Sequence, residues 1–297
     1  MTAVASRRPP AGRTAGATSG WWLGAPPVIA LLAAAGAVAV YAVFVRTRLG
    51  QVVDEAAMRG AEVEHQRVVS VLNSTLDGTS LLSIAAVAVV AAAVGLLRRR
   101  VDLAVAAGVL VLGSNLTTQF LKRELTRPPL GDPAPNSLPS GHTTAAVSVA
   151  FALVLVLPYA TRAFLALAGS LYVAVIAIAT VWAAWHRPSD TVAALLVTLG
   201  WGALAVTVVR LRRRAEAPPR AASRLATLPL ALGAAVAGAI GAIGLGAVVV
   251  SERFIPGLVS ELAAFIAGAA GIAGCTAGAF LIWVWLVAEG EVRHRND

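Results

Sequence analysis

Eight separate runs of mostly apolar residues divide this 297-residue chain, at approximate limits 25–45, 79–97, 103–121, 143–160, 164–185, 190–209, 226–250 and 259–287. Each is close to the roughly 20 residues that a helix needs to cross a hydrocarbon core. Alanine, leucine and valine dominate them, and none alternates as a membrane barrel strand would. The expected fold class is therefore all-α, a polytopic transmembrane helical bundle. Composition agrees: 58% of residues are apolar and 13% charged, against about 25% charged in a soluble domain.

The formal net charge of +9 would also suit a nucleic-acid binder, but its distribution argues against one. The basic residues gather between apolar runs, at Arg98–Arg100 and at Arg210 with Arg212–Arg214, as they do in cytoplasmic loops. No nucleic-acid partner is expected; the expected partner is the lipid bilayer. The same rule places both termini inside and the 46–78 loop outside. Trp182 and Trp185 then fall near an outer helix end, and Trp21, Trp22, Trp283 and Trp285 near inner ends, the places where interfacial aromatic belts form. The first run follows Arg7, Arg8 and Arg13 without a clear cleavage site and reads as a retained span. Cys275, the single cysteine, permits no intramolecular disulfide and reads as a small packing residue.

The resulting organisation is a cytoplasmic tail over 1–24 and a membrane core over 25–209 that includes the outer loop 46–78. A basic cytoplasmic linker over 210–225, two further spans over 226–288 and a tail over 289–297 follow. Within the outer loop, Val52, Val53, Ala56, Ala57, Val63 and Val68–Val71 hint at a short amphipathic helix, lying either over the bundle or on lipid headgroups.

Polar chemistry concentrates at the outer ends of the third to sixth runs. Pro139-Ser140-Gly141-His142 is a tight turn into a helix. Its serine can cap that helix, and its first N–H groups attract an anion. His142 there can donate a proton to a leaving oxygen, although a plain loop-to-helix turn would look the same. His186 and Asp190 are four residues apart. In a helix or tight turn the carboxylate reaches one ring nitrogen and leaves the other as a nucleophile. A helix-starting acid is the simpler alternative for Asp190. Lys122, Arg123 and Arg127 make this outer edge positive. Lysine offers phosphate a point charge and arginine a planar fork, while cations that merely snorkel at a span end would account for Lys122 better than for Arg127.

Taken in order, these pieces resemble the type-2 phosphatidic acid phosphatase superfamily, whose motifs are KxxxxxxRP, PSGH and SRxxxxxHxxxD. The second is intact at Pro139–His142, and His186 with Asp190 supplies the end of the third. The resemblance covers roughly 79–210. Two positions depart from the pattern. Four residues rather than six separate Lys122 from Arg127, so that Pro129 holds the arginine position. Ala179 and Thr180 stand where the third motif has serine and arginine.

The resemblance implies a six-helix phosphatase-like core with two extra C-terminal spans. It implies that His186 attacks phosphorus to form a phosphohistidine, that Asp190 orients it, and that His142 protonates the leaving oxygen and then activates water. Lys122, Arg127, Ser140 and the Gly141 amide would hold the phosphoryl oxygens, with Arg187 compensating in part for the missing arginine. No metal and no cofactor is expected. The implied substrate is a membrane lipid phosphate, a phosphomonoester or diphosphate, cleaved at the outer face. The alternative is a degenerate member of the same fold that binds a phospholipid without turnover. A transporter or scaffold fits less well, since transporters place their charges near the midplane.

Overall fold

The computed structural model describes residues 18–60, 99–130, 135–213 and 223–288, with isolated positions between 89 and 97. The run expected at 79–97 and the valines at 63 and 68–71 fall outside the described residues, as do both terminal tails and most of the basic linker.

Eight α-helices are described: α1 Thr18–Val40, α2 Arg48–Arg59, α3 Val101–Glu124, α4 Gly141–Val156, α5 Tyr159–Trp182, α6 Pro188–Arg213, α7 Arg224–Arg253 and α8 Glu261–Leu286. A π-helical turn, Tyr41–Val45, prolongs α1. Among the described residues, six helices are long and apolar enough to cross a membrane: Leu23–Val45, α3, Pro188–Arg212 of α6, and α5, α7 and α8. The expected span at 143–160 is shorter. Leu157 and Pro158 end α4 after 16 residues, about 24 Å at 1.5 Å per residue against a hydrocarbon core of about 30 Å.

Element boundaries follow from local chemistry. The hydroxyls of Thr47, Ser140 and Ser260 each accept from the backbone N–H three residues on, capping α2, α4 and α8. Pro188 opens α6, where its missing N–H costs nothing. At the end of α5, Trp185 N donates to Thr180 O at 3.0 Å and Ala184 N to Val181 O at 2.9 Å. With Ala184 left-handed at φ 55°, this is a Schellman turn. It reverses the chain sharply between α5 and α6, and His186 lies in the reversal.

The last two helices are joined unequally to the rest. α7 packs chiefly on α8, whereas α8 packs also on α2, α5 and α6. α7 and α8 approach through glycines: a Cβ on Gly241 would stand 2.5 Å from Gly271 Cα, the small-residue packing common between membrane helices. Trp283 of α8 is fully buried, stacks on Phe151 of α4 at 4.6 Å, and donates from Nε1 to Phe151 O. It is a core residue, which corrects the interfacial position expected for it; Trp285 is 37% exposed. Cys275, read as a small packing residue, lies on the exposed face of α8. At the end of the bundle away from His186, Arg162 and Arg210 donate to Val287 O and Leu286 O, both at 2.7 Å, and so satisfy carbonyls that the end of α8 leaves open.

α2 lies over the bundle and not on a lipid surface. Val53, Ala56 and Ala57 are buried, and so are Gln51, Asp54 and Glu55. Gly60 ends it against the start of α8, where a Cβ would stand 1.8 Å from Glu261 O.

Candidate active site

The three polar clusters of the sequence meet at one end of the bundle. α3 brings Lys122, the start of α4 brings Ser140, Gly141 and His142, and the α5–α6 reversal brings His186, Arg187 and Asp190. The two histidine rings lie 6.1 Å apart, nearly edge to face. Trp185 flanks His142 at 5.4 Å, so this tryptophan lines the site. A Cβ on Gly141 would stand 3.7 Å from Lys122 Nζ, which places the ammonium against the first turn of α4. Ser140 Oγ caps Thr143 N there, and a helix start carries the positive end of its dipole, so a cation and a helix N-terminus converge on one spot.

The carboxylate–histidine pair has the expected geometry. Asp190 Oδ2 lies 3.3 Å from His186 Nδ1, leaving Nε2 as the other ring nitrogen. The same oxygen accepts from Arg187 N at 2.9 Å and from Ser137 Oγ at 2.6 Å. The Ser140 amide donates to Asp190 O at 2.9 Å, which ties the α4 turn directly to the start of α6. Thr118 and Thr144 hydroxyls meet at 2.9 Å, and Asn115 donates to Ser148. These polar links lock α3 to α4 below the site.

Two of the expected phosphate ligands face an acid. Arg187 donates from Nε to Glu55 Oε1 at 2.7 Å and pairs with it through Nη2 as well. Arg127 reaches the same oxygen through Nη2 at 3.0 Å. Both arginine side chains are almost fully buried, at 3% and 5% exposure. Burial pushes the Arg127 guanidinium below its ordinary value, the nearby Arg187 charge pushes the same way, and Glu55 opposes both. Arg127 Nε is buried without a hydrogen-bond partner among the described residues, a donor that an anionic oxygen would satisfy. Thr180, at the position of the family's arginine, is fully buried and donates to Ala177 O.

Asp54 sits beside Glu55 and accepts from Ser189 N at 3.1 Å and from Ser189 Oγ, capping α6. Burial, reinforced by the Asp190 charge, pushes its carboxyl up to about 7; the Ser189 hydrogen bonds and Arg187 pull the other way. Sequence reasoning passed over Asp54, Glu55 and Ser137. The available signal was Asp54 between Val53 and Ala57 on one helical stripe, a charge on a buried face.

The fold and the site define a multi-pass helical membrane protein whose polar centre is a histidine–carboxylate pair beside a second histidine. The model of the PAP2 superfamily matches residues 103–214, so that segment of the chain is similar to that superfamily. No curated protein and no solved structure matches the chain. α1, α2, α7 and α8 lie outside the matched segment, so Asp54 and Glu55 reach the site from beyond it.

Proposed function

We propose that this chain is a membrane lipid phosphate phosphatase that cleaves a phosphomonoester or diphosphate headgroup at the outer face through a phosphohistidine. The observation that carries this is the pair of imidazoles 6.1 Å apart, one held by Asp190 and the other at the helix start beside Lys122. In the first step His186 Nε2 bonds to phosphorus while the bond to the leaving oxygen breaks, and His142 gives that oxygen its proton. In the second, His142 takes a proton from water, whose oxygen displaces the histidine and releases inorganic phosphate. Lys122, Ser140 and the Gly141 amide hold the phosphoryl oxygens, while Arg127 and Arg187 add positive potential beside them. No metal takes part in this scheme. The outer-face location is supported by Arg100, Arg162 and Arg210 at the opposite end of the helices.

The test is phosphate release by the protein in detergent from a panel of lipid phosphates, phosphatidic acid and a polyprenyl diphosphate among them. Release should be blocked by vanadate and lost in His186→Ala, and His142→Ala should slow it by about 10²–10⁴-fold. Full activity in His186→Ala would overturn the proposal. A second reading, phospholipid binding without turnover, is favoured by Thr180 in the clamp position and by the pairing of both arginines with Glu55. Lipid-phosphate binding without release by the wild type would support it.

A further inference from the structure

Ser137 precedes the matched PSGH turn and carries no role in the scheme above, yet it touches the catalytic carboxylate directly. Its orientation is forced by chemistry. An arginine can only donate and a carboxylate can only accept. Ser137 Oγ must therefore accept from Arg187 Nη1, 3.0 Å away, and spend its one proton on Asp190 Oδ2 at 2.6 Å. Arg187 is itself gripped by Glu55 through Nε and Nη2. A single directed path thus runs from α2 to the nucleophile: Glu55, Arg187, Ser137, Asp190, His186.

We propose that Ser137 and Glu55 are positioning residues: Ser137 holds Asp190 directly and Glu55 holds Ser137 through Arg187, so that His186 Nδ1 is fixed and Nε2 faces the phosphate. This rests on the reading of His186 as the nucleophile. Without the Ser137 hydroxyl, Asp190 Oδ2 keeps, among the described residues, the Arg187 amide and the histidine, and the carboxylate gains freedom to turn away. Without the Glu55 charge, Arg187 loses the acid that aims its guanidinium at Ser137. Glu55 stands outside the matched segment, so α2 supplies from elsewhere in the chain a support that the core does not contain.

The full-length protein in detergent, with phosphatidic acid as substrate, provides the test. Ser137→Ala should lower kcat on the order of 10- to 100-fold with KM unchanged, the cost of a misplaced reacting group, and Ser137→Thr should restore most of it. Glu55→Gln should lower kcat as well, and the double variant with Ser137→Ala should lose much less than the product of the two single losses. A merely structural role would lower the amount of folded protein without this split or this coupling. Wild-type kcat in Ser137→Ala, or independent losses in the double variant, would overturn the path. Failure of the reaction scheme looks different, because His186→Ala would then keep its activity. A readout independent of turnover is the imidazole ¹⁵N spectrum of His186, assigned by its loss in His186→Ala. Ser137→Ala should move those resonances, and unmoved resonances would sink the proposal even in a protein that hydrolyses nothing.

Discussion

Single residues in this site are governed by the cost of burying charge. Glu55 draws two arginines onto one oxygen, and removing one partner from such a buried set commonly costs 3–5 kcal/mol. Asp54 solves the same problem by protonation. Its pKa stands at about 7 in the fold against an ordinary 3.8, so the folded state holds the proton more tightly. Its contribution to stability is therefore fully present at low pH and is lost as pH rises between those two values. Asp54→Asn keeps the oxygen that Ser189 N needs and cannot ionise. Melting temperatures measured from about pH 4 to about pH 8 should show the wild type losing ground to the variant as pH rises; a wild type that gains on the variant would contradict the assignment.

The element that matters most is α2, a 12-residue helix too short to cross a membrane. Its place depends on Gly60, where the chain passes so close to Glu261 that a Cβ would stand 1.8 Å from the carbonyl oxygen. Arg59 also pairs with Glu261 at 2.8 Å, but both side chains are about half exposed, and exposed pairs contribute little. The backbone fit is the stronger constraint. Gly60→Ala should push α2 off α8, destabilise the fold by an overpacking cost of about 1–3 kcal/mol that lowers the melting temperature, and reduce phosphate release by shifting Glu55. Unchanged melting would mean that the contact at Gly60 does not hold α2 in place.

Across the whole molecule, Arg100, Arg162, Arg210 and Arg224 lie at one end of their helices and the histidines at the other, which is the arrangement that motivates the proposal of an outer site. Cysteine labelling of intact cells or right-side-out vesicles can check this. In a Cys275→Ser background, Ser260→Cys at the start of α8 should react with a membrane-impermeant maleimide added outside, and Ser223→Cys at the start of α7 should not. The reverse pattern would invert the molecule and move the site inside. The same scale explains why α7 and α8 are unequal partners of the core. Trp283 inserts between helices of the matched segment and bonds to Phe151, while α7 keeps much of its surface exposed, as in Leu225, Leu228 and Ile243.

Helical spans, the end at which the polar residues gather, and the pairing of His186 with Asp190 could be read from the chain directly. These are local properties: run length against bilayer thickness, and a four-residue spacing that a helical turn closes. What tertiary structure alone decided is who meets whom across long separations. Glu55 and Arg187 are 132 residues apart, and Ser137 and Asp190 are 53 apart. No spacing rule connects them, because packing of α2 across the start of α6 creates the first contact and packing of the segment before α4 on α6 creates the second. Burial was equally invisible, which is why Trp283 read as interfacial and the pairing of Arg187 with Glu55 went unseen. A side chain's chemistry is written in the sequence, whereas its solvent and its partner are set only when the helices have closed around it.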